Sequence, residues 1–303
     1  MKSSSKLFLT LVALPVLSSI LLKIIFQKPP ADHGKGTMFD LIATRYDFIN
    51  RALALNLDIG WRKVMIGEVT AHGDLWKGAG EREGVIKVLD LATGTADVAI
   101  LLAKEYHNSN IHPLSSKRDL TILGVDPSQN MINVGREKII KEHLTEQITL
   151  DLGDARNLKD LPNDEFDAAT MSFGIRNVPE KELALCEIHR VLKKEDQGKA
   201  IKGATFGILE FSEPGEEAGI MGAGARLFIR HIVPVVGAIL SGAPREYMHL
   251  QSSIKEFPSP KEFAKLMEGL SCGEDGRGTF RVDNLMQLNF GSVQLYIATP
   301  IYK

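Results

Sequence analysis

Apolar runs and amphipathic segments alternate along the chain from residue 85 onward. The runs at 85–92, 120–126, 148–155, 165–175 and 204–212 are short and strand-like, and most are apolar throughout, as in strands buried on both faces. The segments 97–106, 128–144 and 180–194 instead carry apolar residues at helical spacing. This β-α-β order predicts a parallel sheet covered by helices on both faces.

Two of the helical segments carry more specific signals. Ser128 stands where an N-cap would begin the helix of 128–144. In the segment 180–194, the spacing predicts a buried stripe, which consists of Leu183, Ile188, Val191 and Leu192.

Two regions lie outside the alternation. Residues 38–80 are predicted to form helices before the first strand, and residues 214–270 a helical insertion, or lid, before two final strand-like runs. The stretch 227–242 within the insertion is more apolar than a surface helix should be. Its periodicity fits a core helix of the lid. It fits equally well an apolar passage, or a helix face that rests on a membrane.

The first 36 residues differ in character from the rest. They carry an apolar stretch from Leu7 to Leu22, and the lysines around it are not matched by any acid before Asp32. This pattern is typical of an organelle presequence, a secretory signal or a membrane anchor. We therefore expect residues 1–36 to be a targeting segment or anchor and residues 37–303 to form one domain.

The amino-acid composition narrows the possible classes of function. The chain has 303 residues, 44% hydrophobic and 24% charged, with a formal net charge of −2, so no basic excess suggests nucleic acid. Its two cysteines, Cys186 and Cys272, are far apart and not in a C-x-x-C arrangement. They predict two unpaired thiols in a reducing compartment and no thiolate metal site.

The residues at the ends of the predicted strands suggest a ligand. Asp90 closes the first strand and opens the small-residue turn DLATGTAD, where a ligand can approach the backbone closely. Asp126 ends the second strand, where an acid accepts hydrogen bonds from ribose hydroxyls. Asp154 and Ala155 follow the third strand and suit an adenine amino group.

These strand ends predict a nucleoside rather than a dinucleotide. No arginine or lysine is predicted to face the ligand, so it should carry no phosphate. The full glycine fingerprint of nicotinamide dehydrogenases is also missing. S-adenosylmethionine fits both observations, and we expect no metal because its methyl group is already activated.

Longer motifs resemble a known family. A Tyr-Asp-x-x-Asn element followed by Trp61-Arg62 lies within the run MFDLIATRYDFINRALALNLDIGWRKVM. Further along the chain, the runs RVLKK and LEFS follow the run SFGIRNV. These runs are similar to the ubiquinone/menaquinone biosynthesis C-methyltransferases over residues 38–303. The resemblance implies a class I S-adenosylmethionine-dependent methyltransferase, an α/β Rossmann-like fold whose seven-stranded, mostly parallel sheet has an antiparallel last strand. The family's usual A-G-G-T-G-D turn has Thr93 and Ala96 in place of two glycines here.

Motif positions also imply site residues. The cofactor would contact Gly94, Thr95, Asp126, Asp154, Ala155 and Ser172, with Asp90 beside them. The acceptor would be an electron-rich ring carbon of a quinol, with Arg176 and Asn177 holding the developing phenolate or a water. Tyr46, Asp47 and Tyr247 would also contact the substrate. The alternative for Arg176 is a structural salt bridge to a nearby acid.

The substrate implied by the resemblance is a polyprenyl benzoquinol of the 2-methoxy-6-polyprenyl-1,4-benzoquinol type, methylated in ubiquinone biosynthesis. One alternative is a demethylnaphthoquinol in menaquinone or phylloquinone biosynthesis, and another is a non-catalytic scaffold of a quinone-synthesis complex. A lipid substrate favours the passage or membrane interpretation of residues 227–242. We expect peripheral membrane contact on the matrix side of the mitochondrial inner membrane, with a plastid as the alternative. A multi-subunit complex and a homodimer both stay open.

Overall fold

A computed structural model describes residues 14–25, 36–72, 75–76, 84–109, 119–195 and 203–303. The remaining parts of the predicted targeting segment, 1–13 and 26–35, lie outside the described residues. The strands are β1 (Ile86–Leu91), β2 (Leu120–Asp126), β3 (Ile148–Leu152), β4 (Ala168–Ser172), β5 (Thr205–Phe211), β6 (Gly278–Leu288) and β7 (Val293–Tyr302). The helices are α1 (Leu14–Ile25), α2 (Thr37–Asp40), α3 (Ala43–Leu53), α4 (Leu57–His72), α5 (Asp97–Asn108), α6 (Gln129–Lys141), α7 (Lys181–Val191), α8 (Gly219–Leu227), α9 (Val233–Ser241), α10 (Pro244–Glu256) and α11 (Pro260–Gly269).

The seven strands form one sheet in the order β3-β2-β1-β4-β5-β7-β6. The first five strands pair in parallel, whereas β7 runs antiparallel to both β5 and β6. The predicted mostly parallel sheet with an antiparallel final strand is therefore confirmed. Ser128 caps α6 as predicted, since its hydroxyl accepts a hydrogen bond from the Met131 amide at 3.2 Å.

Each face of the sheet is covered by helices. One hydrophobic cluster joins the sheet to α4, α5 and α6, and a second joins it to α7 and α11. The predicted inner stripe of α7 is confirmed at Ile188, Val191 and Leu192, which are fully buried, but wrong at Leu183, which is 49% exposed. Leu183 is five residues before Ile188, so the helical rotation turns it away from the sheet.

The insertion between β5 and β6 is helical, as predicted. Residues Glu216–Ser241 form one helical run, in which a π-helical turn at Phe228–Ile232 joins α8 to α9. Among the described residues, this run alone is long and apolar enough to cross a membrane by length and composition, which is weak evidence by itself. From here on, the term lid means α8, the π-helical turn, α9 and α10, which form the part of the predicted lid that precedes α11.

Part of the segment that we expected to lie outside the fold packs against the lid. Helix α1 contacts the π-helical turn, α9 and α10. Ser19 on α1 is fully buried, and its hydroxyl lies 2.7 Å from Nδ1 of His231. Helix α1 is thus docked on the lid of the same chain.

The two cysteines form a disulfide, which contradicts the prediction of two free thiols. Cys186 lies on α7, and Cys272 lies between α11 and β6, where both elements pack on the same face of the sheet. The fold thereby brings together two residues that are 86 positions apart in the sequence. Their spacing along the chain could not reveal this contact.

Candidate active site

Two cavities lie at the carboxyl ends of the parallel strands. The smaller one, of about 80 Å³, is bordered by the residues that follow β1, β2, β3 and β4. The larger one, of about 560 Å³, is bordered mainly by apolar side chains of α3, α4, the lid and the loop after β6. Four residues line both cavities: Phe39, Tyr46, Phe173 and Asn177. These four mark the place where ligands in the two cavities would meet.

Asp126 lines the smaller cavity. Its carboxylate accepts hydrogen bonds from the amides of Gly94 at 2.8 Å and Ser128 at 2.9 Å. Burial raises the pKa of Asp126 to about 6, although both amides work in the opposite direction. Each carboxylate oxygen can accept a further hydrogen bond, so the group suits a pair of ribose hydroxyls.

The turn after β1 keeps a left-handed geometry despite its reduced glycine content. Ala92, Gly94 and Ala96 have φ values of 49°, 56° and 66°. Asp90 holds this turn from within, because its buried carboxylate accepts hydrogen bonds from the hydroxyls of Thr93 at 2.6 Å and Thr170 at 2.7 Å. Burial raises the pKa of Asp90 to about 6.

Two predicted cofactor residues have other roles in the structure. Neither Asp90 nor Thr95 lines the smaller cavity. The Thr95 hydroxyl donates to Asp47 at 2.6 Å and accepts from Lys138 Nζ at 3.0 Å. It thereby faces a cluster of charges between α3, α4, α5 and α6, whose other members are Arg51, Asp58, Arg62 and Asp97.

This charge cluster ties the helices in front of the sheet to the turn that borders the smaller cavity. Lys138 Nζ contacts Asp47 at 2.8 Å and Asp97 at 2.6 Å. Burial opposes ionisation of Asp97, but Lys138 and Arg62 outweigh it and lower the pKa of this carboxyl. Asp97 therefore stays charged and joins α3 to the start of α5.

A cation does face the smaller cavity, contrary to our expectation. Arg156 lines it beside Asp154 and Ala155. Its guanidinium contacts Asp154 at 2.6 Å and Glu180 at 3.0 Å, so two carboxylates balance its charge. Burial raises the pKa of Asp154, but the hydrogen bonds from Arg156 prevail and lower it. The sequence signal was present, since Arg156 directly follows the Asp-Ala pair.

Arg176, in the 3-10 turn Ile175–Asn177 that follows β4, is in a buried ion pair. Its Nη1 donates to Glu210 Oε1 at 2.6 Å and to the Phe173 carbonyl at 2.7 Å. The side chain of Arg176 is only 6% exposed, and that of Glu210 is fully buried. The salt bridge, our alternative interpretation of Arg176, is therefore present. Arg176 also lines the larger cavity, and its buried Nε has no hydrogen-bond partner among the described residues.

Tyr46 and Asn177 lie together on the wall between the cavities. Burial raises the pKa of Tyr46, while a hydrogen bond with Asn50 and the charge of Arg176 act against this shift. Asn177 Oδ1 is 3.3 Å from Nε2 of His249 on α10, which lines the larger cavity. The sequence analysis missed His249 because nothing in the lid sequence indicates which residues face the sheet.

The sequence model of the ubiE/COQ5 methyltransferase family matches residues 31–275. The chain belongs to this family. It is 34% identical over 247 residues to a demethylmenaquinone methyltransferase from Deinococcus radiodurans, covering 80% of this chain and 88% of the relative. It is 32% identical over 234 residues to the ubiquinone/menaquinone biosynthesis C-methyltransferase UbiE from Geotalea uraniireducens, covering 77% and 85%.

Solved structures support the same fold. An S-adenosyl-L-methionine-dependent methyltransferase from Methanococcus maripaludis superposes with a TM-score of 0.52 at 14% identity, covering 86% of this chain and 93% of that one. At this identity the likeness concerns the fold alone. Together with family membership, it makes the chain a class I methyltransferase that uses S-adenosylmethionine.

The residues of the smaller cavity fit this cofactor. Ser172 lines the cavity, and its buried Oγ has no hydrogen-bond partner within the described part of the chain, so this hydroxyl is available to a polar group of a ligand. The carboxylate of Asp126 and the backbone around Gly94 provide further polar contacts beside it.

The segment before α3 covers part of the smaller cavity. Helix α2 is the nearest cover, because Gly36 and Phe39 line the cavity. Asp40 fastens α2 to the start of α6 by accepting hydrogen bonds from the Ser128 hydroxyl at 2.5 Å and the Asn130 amide at 3.0 Å.

Proposed function

We propose that this methyltransferase of the ubiE/COQ5 family methylates a ring carbon of a reduced demethylnaphthoquinol that carries a prenyl tail. The observation that carries the proposal is the pair of adjoining cavities. One has the polar groups for S-adenosylmethionine, and the other is a large, mostly apolar space suited to an aromatic ring with an alkyl chain. The curated relative from Deinococcus is named a demethylmenaquinone methyltransferase, which favours the naphthoquinol ring.

The chain's own residues would position the quinol and stabilise its oxygen. The cofactor supplies a methyl group on a sulfonium, which is transferred in line to a carbon nucleophile. A quinol ring carbon becomes nucleophilic as its hydroxyl loses a proton, so the protein must bind a developing phenolate. In our proposal, Arg176 donates its unpartnered Nε–H to this oxygen. Asn177 and Tyr46 hold the ring on the wall shared with the cofactor cavity.

The ion pair with Glu210 limits what Arg176 can contribute. Because the carboxylate already compensates the guanidinium charge, the pair as a whole is neutral. Phenolate stabilisation would therefore rest on a directed hydrogen bond from Nε rather than on a net positive charge. A guanidinium essentially does not deprotonate, so Arg176 is assigned no role as a base.

A methyl-transfer assay tests the proposal. The full chain would be given labelled S-adenosylmethionine with a reduced demethylnaphthoquinol or a reduced methoxy-benzoquinol, each with a short prenyl tail. We expect label on the naphthoquinol ring carbon. In the double variant Arg176→Met/Glu210→Gln, which removes both charges together, turnover should fall about a hundredfold or more while S-adenosylhomocysteine affinity stays the same. Equal loss of both properties would refute the role of Arg176.

The second candidate substrate is the methoxy-benzoquinol of ubiquinone biosynthesis. It is supported by the name of the Geotalea relative, which covers both quinones. Label on the benzoquinol alone would establish this reading instead. Cofactor binding without label on either ring would favour the non-catalytic scaffold, for which a multi-subunit complex or a homodimer would be the next question.

Peripheral membrane contact is part of the proposal. Ile220 on α8 is 91% exposed and lines the larger cavity, and Ile239 on α9 is 74% exposed. Isoleucines so exposed on one apolar helical run suit insertion into a lipid surface, from which a prenyl tail could enter. The Ile220→Ser/Ile239→Ser variant should sediment less with anionic vesicles than wild type. Ile140→Ser, a control at an exposed isoleucine of α6, should sediment like wild type.

The location in the cell is a separate part of the proposal. The relatives named above are bacterial, so they lend no support to a mitochondrion or a plastid. Structural disulfides are typical of oxidising compartments, so the Cys186–Cys272 bridge does not favour a reducing matrix either. Imaging the full chain with a carboxyl-terminal fluorescent tag in its native cell would show whether it resides in a mitochondrion, in a plastid or in neither.

A further inference from the structure

The hydroxyl group of Tyr247 is buried in the lid without a hydrogen-bond partner among the described residues. Tyr247 lies on α10, is only 3% exposed and lines the larger cavity. Buried hydroxyl groups are nearly always paired in folded proteins, so an unpaired one beside a cavity indicates a place for a ligand atom.

The ring of Tyr247 is held firmly by its surroundings. It packs with Ile42 and Ile49 of α3 in a small hydrophobic cluster. On its other side it lies against the backbone of α9, where a Cβ added at Gly237 would be 2.2 Å from the tyrosine ring. Glycine at this position lets the helix approach the ring, and the close contact restricts the position of the ring and of its hydroxyl oxygen.

The hydroxyl group remains a donor across the physiological pH range. Burial raises the pKa of Tyr247 far above its ordinary value, and the neighbouring Tyr46 and Glu246 add to the shift. The phenol therefore stays protonated.

We propose that the Tyr247 hydroxyl donates a hydrogen bond to one oxygen of the bound quinol ring, while Arg176 Nε binds the other. This inference rests on the proposed function, because it assumes a quinol in the larger cavity. Tyr247 and Arg176 both line the cavity, and their buried donor atoms, Oη and Nε, lack partners within the described part of the chain. A 1,4-quinol has two oxygens at opposite ends of its ring. Holding both ends would orient the ring and so select which carbon meets the methyl group.

The variant Tyr247→Phe tests the inference, because it removes only the hydroxyl group. The matched control is Tyr296→Phe on β7, since Tyr296 is also fully buried with an unpartnered hydroxyl but lines neither cavity. Equilibrium dissociation constants would be measured by anaerobic titration calorimetry on the complex with S-adenosylhomocysteine. The probes are a 2-prenyl-1,4-naphthoquinol and its two analogues that each lack one hydroxyl.

We expect Tyr247→Phe to weaken quinol binding about threefold to tenfold and Tyr296→Phe to leave it unchanged. One monohydroxy analogue should bind Tyr247→Phe and wild type equally, because it lacks the oxygen that Tyr247 contacts. The melting temperature of the ligand-free protein should not fall in either variant, since neither hydroxyl has a partner to lose.

Three results would overturn the inference. Unchanged quinol affinity in Tyr247→Phe would refute it and leave the proposed function intact. Equal weakening for the quinol and both analogues would show that Tyr247 acts through packing alone. Failure of the wild-type protein to bind the quinol at all would overturn the proposed function and this inference together.

Discussion

Replacing Glu210 with glutamine should destabilise the protein strongly, because it leaves Arg176 charged and buried without a counter-ion. The two side chains are joined at 2.6 Å and almost completely excluded from water. Glu210 also accepts hydrogen bonds from the amides of Arg176 at 3.2 Å and Phe211 at 2.7 Å, and a glutamine amide group can keep only part of this set. Removing one partner of a buried pair costs about 3–5 kcal/mol.

The variant Glu213→Gln is a matched control three residues away. Glu213 is paired with Arg230 at 2.7 Å, a similar distance, but at the surface. Exposed pairs contribute about 0–1 kcal/mol, so this variant should unfold almost like wild type.

Urea unfolding followed by tryptophan fluorescence would give the free energy of unfolding of the three proteins. A loss of about 3–5 kcal/mol is a large fraction of the roughly 5–15 kcal/mol that stabilises a typical domain, so the midpoint should shift clearly. If the free energy of unfolding falls by similar amounts in Glu210→Gln and Glu213→Gln, burial does not set the strength of the Arg176 pair and the reasoning fails.

Three further predictions concern the cofactor site and the disulfide. Asp126→Asn should weaken S-adenosylmethionine binding about tenfold. The affinity of the wild-type protein should fall as the pH drops below about 6, the raised pKa of Asp126, because protonation removes an acceptor for the ribose hydroxyls. A calorimetric affinity that stays constant from pH 5 to 8 would contradict this. Reducing Cys186–Cys272 should lower the free energy of unfolding by about 4 kcal/mol, since the bridge closes a loop between residues 86 positions apart; identical urea curves with and without reductant would count against it. Asp40→Ala removes the hydrogen bonds that hold α2 over the smaller cavity. The variant should therefore release the cofactor severalfold faster in stopped-flow fluorescence. An unchanged dissociation rate would mean that α2 does not cover the bound cofactor.

The sequence predicted those parts of the fold that depend on local patterns. The run LTILGVD corresponds to β2 at Leu120–Asp126, and Ser128 caps the next helix, because both signals lie within a few consecutive residues. Asp126 could be placed at the smaller cavity for a related reason, whereas Ser172 was implied by its motif position in the related family. In a parallel sheet the carboxyl ends of the strands share one edge, so the order of strands alone brings their last residues together.

Contacts between distant segments could not be predicted in this way. The pairing of Cys186 with Cys272 depends on how α7 and the start of β6 pack, and Ser19 meets His231 only after the lid has folded. The motif position of Thr95 in the related family implied a contact with the cofactor. In the structure, Lys138 and Asp47 from two other helices bind its hydroxyl group, and neither is indicated by the turn sequence.

The wall between the two cavities has two halves of different physical character. Phe173 belongs to the first half and has a left-handed φ of 59°, which costs about 1–2 kcal/mol for a residue with a side chain. It is fixed by stacking on Phe211 at 4.3 Å and by edge contact with Trp61 at 6.3 Å. Dense apolar packing of this kind does not yield easily, so this half should keep its shape when ligands bind.

The second half of the wall, Phe39 and Tyr46, stands on α2 and α3, which pack against Tyr247 in a small hydrophobic cluster but contact α6 through polar groups. These polar contacts are the hydrogen bonds of Asp40 with Ser128 and Asn130 and the ion pair of Asp47 with Lys138. Polar contacts near the surface are exchanged for contacts with water at little net cost, whereas apolar packing is not. Opening for the cofactor should therefore occur on the side of α2, while Phe173 keeps the reacting groups in register. The rate of cofactor dissociation in Asp40→Ala measures this difference directly.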